Sequence, residues 1–167
     1  RPLASNSNLS NRGYLLVGQG FIISPQKREQ IATSERQSGA LMKPYFSGRD
    51  LNGSRREQYA IDTYPLTQKQ LEKGHPILYQ HLRDNVFPER ATNREMWRRQ
   101  NWHWYGRTHE HLRSSIRDLD KTIVTARTAK HRCFSFERAD AIFESEIICL
   151  AVAASWVLAA LSSRIHQ

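Results

Sequence analysis

The rhythm of apolar and polar positions changes several times along this chain, and each change marks an element. Residues 1–12 (RPLASNSNLSNR) are polar, rich in Ser and Asn and without periodicity, which predicts a linker or arm. Tyr14-Leu15-Leu16-Val17 and Phe21-Ile22-Ile23 are short apolar runs divided by Gly18-Gln19-Gly20, the pattern of a strand, a tight turn and a strand. Ser24-Pro25 offers an N-cap and a proline at the first helical position, so a helix is expected from there to Ser34. Gly39 precedes the apolar run Ala40-Leu41-Met42, an aromatic-bearing loop follows at Pro44-Tyr45-Phe46-Ser47-Gly48, and Gln58 to Asp62 reads as a strand.

From Pro76 the period is helical. Ile77, Leu78, His81, Leu82 and Val86 fall near one face, and the helix is expected to resume after Pro88 through Arg94 to Arg99. Thr108 to Leu119 is a further helix, with Leu112, Ile116 and Leu119 on one side. The period then becomes two. Thr122–Ala126 and Cys133–Phe136 are expected to pair as strands joined through Arg127 to Arg132, and Ala141–Phe143 and Glu146–Cys149 to continue the sheet. Ala153 to Ile165 closes the chain as an Ala/Leu/Trp helix. The prediction is an α+β fold: a mixed or antiparallel sheet with strands clustered late, flanking helices and a buried C-terminal helix. The expected organisation is an arm, 1–12, and one domain, 13–167.

Composition sharpens this picture. With 167 residues, 39% of them hydrophobic, the chain has enough apolar material for a core of ordinary size. Twenty-five Lys and Arg against sixteen Asp and Glu give a formal charge of +9, which favours a polyanionic partner, nucleic acid ahead of a membrane surface. The excess is uneven: 83–138 holds thirteen basic and seven acidic residues, whereas 139–167 holds one and three. The longest apolar run, Ile147 to Leu161, falls short of the ~20 residues a membrane-spanning helix needs, so no membrane partner is expected. Cys133 and Cys149 make no disulfide framework and sit in apolar alternation, which suits core positions in a reducing, cytoplasmic compartment. The start at Arg1 without a signal sequence suggests a piece of a longer protein.

Two segments carry candidate chemistry. Arg94 to Arg107 interleaves arginines with Trp97, Trp102, Trp104 and Tyr105. Arg94, Arg98, Arg99 and Arg107 could neutralise phosphates, and the rings could stack on bases or belong to the core. The Arg127–Arg132 connection places Arg127, Lys130, His131 and Arg132 at a hairpin, a rigid element able to enter a DNA groove, or simply a solvated turn. Other constellations are weaker. His109-Glu110-His111 spaces its histidines at i, i+2, on different helix faces, so no metal site is expected there. Asp140, Glu144 and Glu146 could be magnesium-binding nuclease carboxylates, but they lack the accompanying lysine. Gly18-Gln19-Gly20 lacks the third glycine of a dinucleotide fingerprint, and no catalytic constellation is found.

The order of these pieces resembles a known module. Gly18-Gln19-Gly20-Phe21 with Ile22-Ile23-Ser24-Pro25 opens it, Pro44-Tyr45-Phe46-Ser47-Gly48-Arg49-Asp50-Leu51 looks like its Pro-Tyr-Leu-x-Gly-x-Asp-Leu element, and Tyr59-Ala60-Ile61-Asp62 like the strand that follows. A long helix carrying Arg90, the Trp102/Trp104 segment ending Gly106-Arg107, Ile123 to His131 and the closing Leu158–Ile165 helix complete the series. Over 13–167 the chain is similar to the target recognition domain of bacterial DNA adenine methyltransferases of restriction–modification systems, the MmeI-like type IIL and related type IIG enzymes. The resemblance implies double-stranded DNA as partner and an N-terminal methyltransferase domain in the same chain. That domain would bind S-adenosylmethionine and flip the adenine to an Asn-Pro-Pro-Tyr motif, neither feature being in these residues. It further implies base reading on the late strands and their connections: Arg127, Lys130, His131, Arg132, Arg138, Asp140 and Glu144, with phosphates at Arg94, Arg98, Arg99 and Arg107. The alternatives are the nuclease above and a basic protein- or RNA-interaction module.

Overall fold

The computed structural model describes residues 9–129 and 133–163. They form an α+β fold in two compact units, between which the chain crosses repeatedly. The first unit takes the chain up to Tyr14, then Phe46–Arg56 and everything from His109 onward; the second takes Leu15–Tyr45 and Glu57–Thr108.

In the first unit, β1 (Ser10–Arg12), β8 (Ile147–Leu150), β5 (Lys121–Ala126) and β6 (Phe134–Arg138) form an antiparallel sheet in the order β1-β8-β5-β6. The expected pairing of β5 with β6 is present, and β8 lies on the other side of β5. β5 is central and buried almost throughout: Ile123 and Val124 are fully inaccessible, and so is Thr122, whose hydroxyl donates to the Leu150 carbonyl at 2.6 Å. The sequence places Ser10–Arg12 in an arm because three polar residues carry no strand signal; their register with Ile148–Leu150 makes them an edge strand. α2 (Gly48–Asn52) packs against β5, and α7 (Glu110–Ile116) against β1. β7 (Ile142–Phe143) lies outside this sheet, and just after it the Glu144 amide donates to the Phe46 carbonyl at 2.8 Å.

The C-terminal helix α8 (Ser155–Leu161) corrects one expectation. It is present but none of its residues is buried, and Trp156 is 75% exposed. Its two helical turns lie along β6, which half-covers Val157, Leu158 and Leu161 and leaves the opposite side open. Of the cysteines, Cys149 is a core residue whose thiol burial pushes up to about 12, whereas Cys133 is exposed.

In the second unit β2 (Ile22–Ile23) and β3 (Met42–Phe46) flank β4 (Tyr59–Ile61), so strands also occur early. α1 (Pro25–Ser34) begins as its sequence dictates, with Ser24 Oγ accepting from the Lys27 amide at 3.2 Å and Pro25 at the first turn. α3 (Gln68–Gly74) opens with a capping box between Thr67 and Gln70. The long helix expected from Pro76 is three: α4 (Pro76–Asn85), α5 (Phe87–Ala91) and α6 (Met96–Gln100). Pro88 lacks the amide needed to continue α4 and instead starts α5. The first turn of α4 is capped from outside, by the buried Glu35 carboxylate accepting from the amides of Ile77 (3.0 Å) and Leu78 (3.4 Å).

Arg90 is the largest fully buried side chain of this unit. Its Nη2 donates to the carbonyls of Leu16 (2.8 Å) and Trp104 (3.0 Å), and its guanidinium lies 5.6 Å from the Phe21 ring centroid. It ties the opening Leu15–Val17 segment to the aromatic segment through backbone oxygens no strand satisfies. Burial lowers its pKa to about 10, still charged at neutral pH.

Candidate nucleic-acid interface

In the first unit the candidate residues gather at the two ends of the β5–β6 pair. Arg127 directly follows β5, and its amide donates to the Glu146 carbonyl at 2.7 Å, extending the ladder with β8 by one residue. Its guanidinium Nη1 lies 3.6 Å from Glu146 Oε1. The same oxygen is 3.5 Å from Arg12 Nη2, and Arg12 Nε donates to the Ser145 carbonyl at 2.7 Å. Lys130, His131 and Arg132 lie outside the described residues. At the other end of the pair, Arg138 closes β6 and bonds both oxygens of Asp140, at 2.8 and 2.6 Å. Lys121, opposite Arg138 in register, sits 4.1 Å from the Phe136 ring centroid. Glu144 is committed through its backbone, bridging to Tyr14 and Phe46, while its side chain is half-buried.

Register decides what faces the same way. Arg12, Ile148, Thr125 and Phe134 form one row across the sheet, and residues opposite in register share a face. Phe134, Phe136 and Ile148 on that face are only half-buried, so Arg12 stands beside apolar surface that remains reachable.

The four arginines expected at phosphates all belong to the second unit, where the structure separates them into two kinds. Arg94 and Arg107 are exposed. Arg98 pairs with Glu95 at 3.0 Å and donates to the Gly106 carbonyl at 3.4 Å, with its side chain 16% exposed. Arg99 donates to the carbonyls of Asn93 (2.6 Å) and Arg94 (3.2 Å), fastening the start of α6. Among the rings, Trp102 is core: it is buried, meets Phe87 edge-on at 5.2 Å and donates Nε1–H to Gln68 at 3.3 Å. Trp104 donates to the Leu66 carbonyl at 2.8 Å. Between them His103 donates Nε2–H to the same carbonyl at 3.1 Å, leaving Nδ1 buried and unbonded, and burial lowers its pKa. Trp97, beside the exposed Met96, keeps part of its ring accessible.

Sequence reasoning misses the arginines that a loop brings to the first unit. Arg56 forks onto the buried Asp50 carboxylate (Nε at 3.0 Å, Nη2 at 3.2 Å), which also accepts from the Ser47 amide and hydroxyl. Burial would raise the Asp50 pKa, but the bonds from Arg56 and Ser47 outweigh it and bring the pKa down to about 2. The Ser47-Gly48-Arg49-Asp50 element is therefore a helix cap with an arginine lock. Arg55 similarly bonds Glu137 on β6 and lies 5.3 Å from the Phe46 ring centroid. The signal is present as Ser-x-x-Asp before a basic pair, a capping box hidden inside what looks like a family element.

Two other chemistries find no support in the geometry. Asp140 is paired with Arg138 and Glu146 with two arginines, and among the described residues no three His, Cys, Asp or Glu side chains are placed to hold a metal ion. In Gly18-Gln19-Gly20, the incomplete dinucleotide fingerprint, Gly20 serves close packing. A Cβ on Gly20 would lie 2.4 Å from the Asn85 carbonyl oxygen, so this glycine permits the Gln19–Phe21 turn to touch the end of α4. Among the described residues no helix is long and apolar enough to cross a membrane.

No protein-family model matches the sequence, and no curated protein matches it. A solved structure does: the type IIL restriction-modification enzyme MmeI in complex with DNA, at a TM-score of 0.73 and 10% sequence identity. The match covers 92% of this chain and 20% of that one, so the chain spans about a fifth of the length of the enzyme it matches. At this identity the likeness is one of fold, and the fold of this chain is that of a portion of a type IIL restriction-modification enzyme.

Proposed function

We propose that this protein recognises a sequence in double-stranded DNA, as the target recognition part of a bacterial, cytoplasmic, S-adenosylmethionine-dependent DNA adenine methyltransferase of restriction–modification type. The observation that carries the reading is the fold shared with part of an enzyme solved on DNA. The +9 charge and the exposed arginines Arg12, Arg55, Arg127 and Arg138 of the first unit agree with it.

The division of labour follows from chemistry. Methylating a base inside a duplex requires flipping it into a pocket, and choosing the site requires a separate surface that reads groove edges. In this reading S-adenosylmethionine belongs to a preceding methyltransferase domain, and these residues supply recognition alone. Base reading is assigned to Arg127, Lys130, His131, Arg132, Arg138, Asp140 and Glu144. Arginine or lysine there would bind guanine O6 and N7, and Asp140 or Glu144 would accept from the cytosine amine. Arg94 and Arg107, being exposed, are the better phosphate contacts of the second unit.

The test is binding to duplex DNA followed by fluorescence anisotropy between about 50 and about 200 mM salt, where affinity should fall steeply as phosphate neutralisation releases counterions. Salt-insensitive binding, or none at low salt, would overturn the reading.

A further inference from the structure

We infer that Arg12 and Arg127, brought together by Glu146, form a two-guanidinium clamp for a single DNA phosphate at the root of the β5–β6 hairpin. The inference rests on the DNA-binding reading above and moves Arg127 from base reading to backbone holding.

Among the described residues one carboxylate faces two permanent cations here, which leaves one positive charge in excess. The two ion-pair distances, 3.5 and 3.6 Å, exceed the ~2.7–2.9 Å of a charge-assisted hydrogen bond, so neither guanidinium fork is closed on Glu146. All three side chains are about half exposed, at 51%, 48% and 44% for Arg12, Arg127 and Glu146, which leaves the donors within reach of a ligand.

Yet both arginines are located from below. Arg12 lies in strand register opposite Ile148 and donates Nε–H to Ser145, and the Arg127 amide is fixed to the Glu146 carbonyl. Much of the ordering that a bound anion would otherwise have to impose is therefore already in place. A guanine edge is satisfied by one fork. One nitrogen from each of two guanidiniums approaches a single oxygen position, which suits an anion with several oxygens, and the Glu146 oxygen sits where a phosphate oxygen would bridge them. Glu146 is thus a positioning residue that holds the pair when no DNA is bound, and its charge opposes the phosphate that displaces it.

The experiment measures affinity of the protein and its variants for a panel of duplexes of different sequence across a salt series, with thermal melting as the folding control. The Arg12→Ala/Arg127→Ala double variant should lower the salt slope by about 0.9, the share of one phosphate, and each single variant by part of that, uniformly across the panel. Glu146→Gln, at a half-exposed position and of equal size, should raise affinity several-fold for every duplex. Arg12→Lys keeps the charge without the fork, so it should hold the slope and lose affinity several-fold; this variant decides the matter if Arg12→Ala melts early. An unchanged slope in the folded arginine variants, a changed order of preference in Arg127→Ala, or weaker binding by Glu146→Gln would each overturn the clamp while leaving the DNA-binding reading intact. Failure of the unaltered protein to bind duplex in a salt-dependent way would overturn both.

Discussion

Arg138 and Asp140, two residues apart, form a closed fork in which Nε and Nη2 each reach a different carboxylate oxygen, at 2.8 and 2.6 Å. Both side chains are well exposed, so the pair is worth little to stability and stands within reach of a ligand. If it reads a base pair, the two residues must act at the same position of the site. Arg138→Ala should relax discrimination there by about 1–3 kcal/mol, and Asp140→Ala should alter preference at that same position. Affinity for duplexes that differ at single base pairs checks this; effects at two different positions, or at none, would sink it.

The arginines of the second unit should divide by what they touch. Arg94→Ala and Arg107→Ala should each reduce the salt dependence of DNA binding by about 0.9 in slope and leave melting unchanged. Arg99→Ala removes the donor from two carbonyls at the start of α6 and should cost roughly 1 kcal/mol in urea unfolding. Equal effects of these three substitutions on slope and melting would contradict the division.

Acid should weaken the first unit through Asp50. Its pKa is below its unfolded value of 3.8, at about 2, so its stabilisation is complete above pH 3.8 and disappears as the pH falls through 2. The amount is about 2 kcal/mol. Urea unfolding across this range should show the loss in the natural protein, and Asp50→Asn should flatten that part of the profile.

His103 works in the same direction, through burial of a neutral base. Its pKa is lowered by burial, so below the ordinary value of 6.5 the unfolded chain takes up a proton that the folded one refuses. Stability of the second unit should therefore decline as pH falls below 6.5. Chemical denaturation of His103→Gln, compared with the natural protein from neutral pH downward, should show less of that decline.

Two tryptophans of similar sequence character differ sharply in weight. Trp102→Ala should destabilise by about 3–5 kcal/mol, because it removes a buried ring held against Tyr79 and Phe87. Trp156→Ala should change stability by less than about 0.5 kcal/mol, since three quarters of that ring faces solvent. Denaturation midpoints of the two variants provide the comparison.

What is legible in the sequence is local. Ser24-Pro25 specifies the start of α1, and the two-residue period after Thr122 specifies β5 and β6. Relationships across the chain are not legible. Nothing in Ser10-Asn11-Arg12 announces a partner at Ile148–Leu150, because an edge strand needs backbone pairing and no apolar pattern. Arg12 accordingly reads as part of an arm, and its meeting with Arg127 is invisible. Arg98 and Arg99 look like solvated cations because the carbonyls they bind are set by turns rather than by residue type. The apolar run at the C-terminus promises burial, but hydrophobicity says only that a residue can be buried, and α8 has no second surface above it in the described chain.

The repeated crossing of the chain between its two units bears on which stretches of the first unit have to be exchanged together. An exchange of residues 121–150 with a relative would carry both strands of the hairpin and the Arg138–Asp140 fork as one cassette. It would leave behind Arg12, which shares Glu146 with the hairpin root, and Arg55, which bonds Glu137. A working chimera therefore has to be assembled from three separate stretches of chain, with β1 and the Phe46–Arg56 segment moving alongside the strands they support.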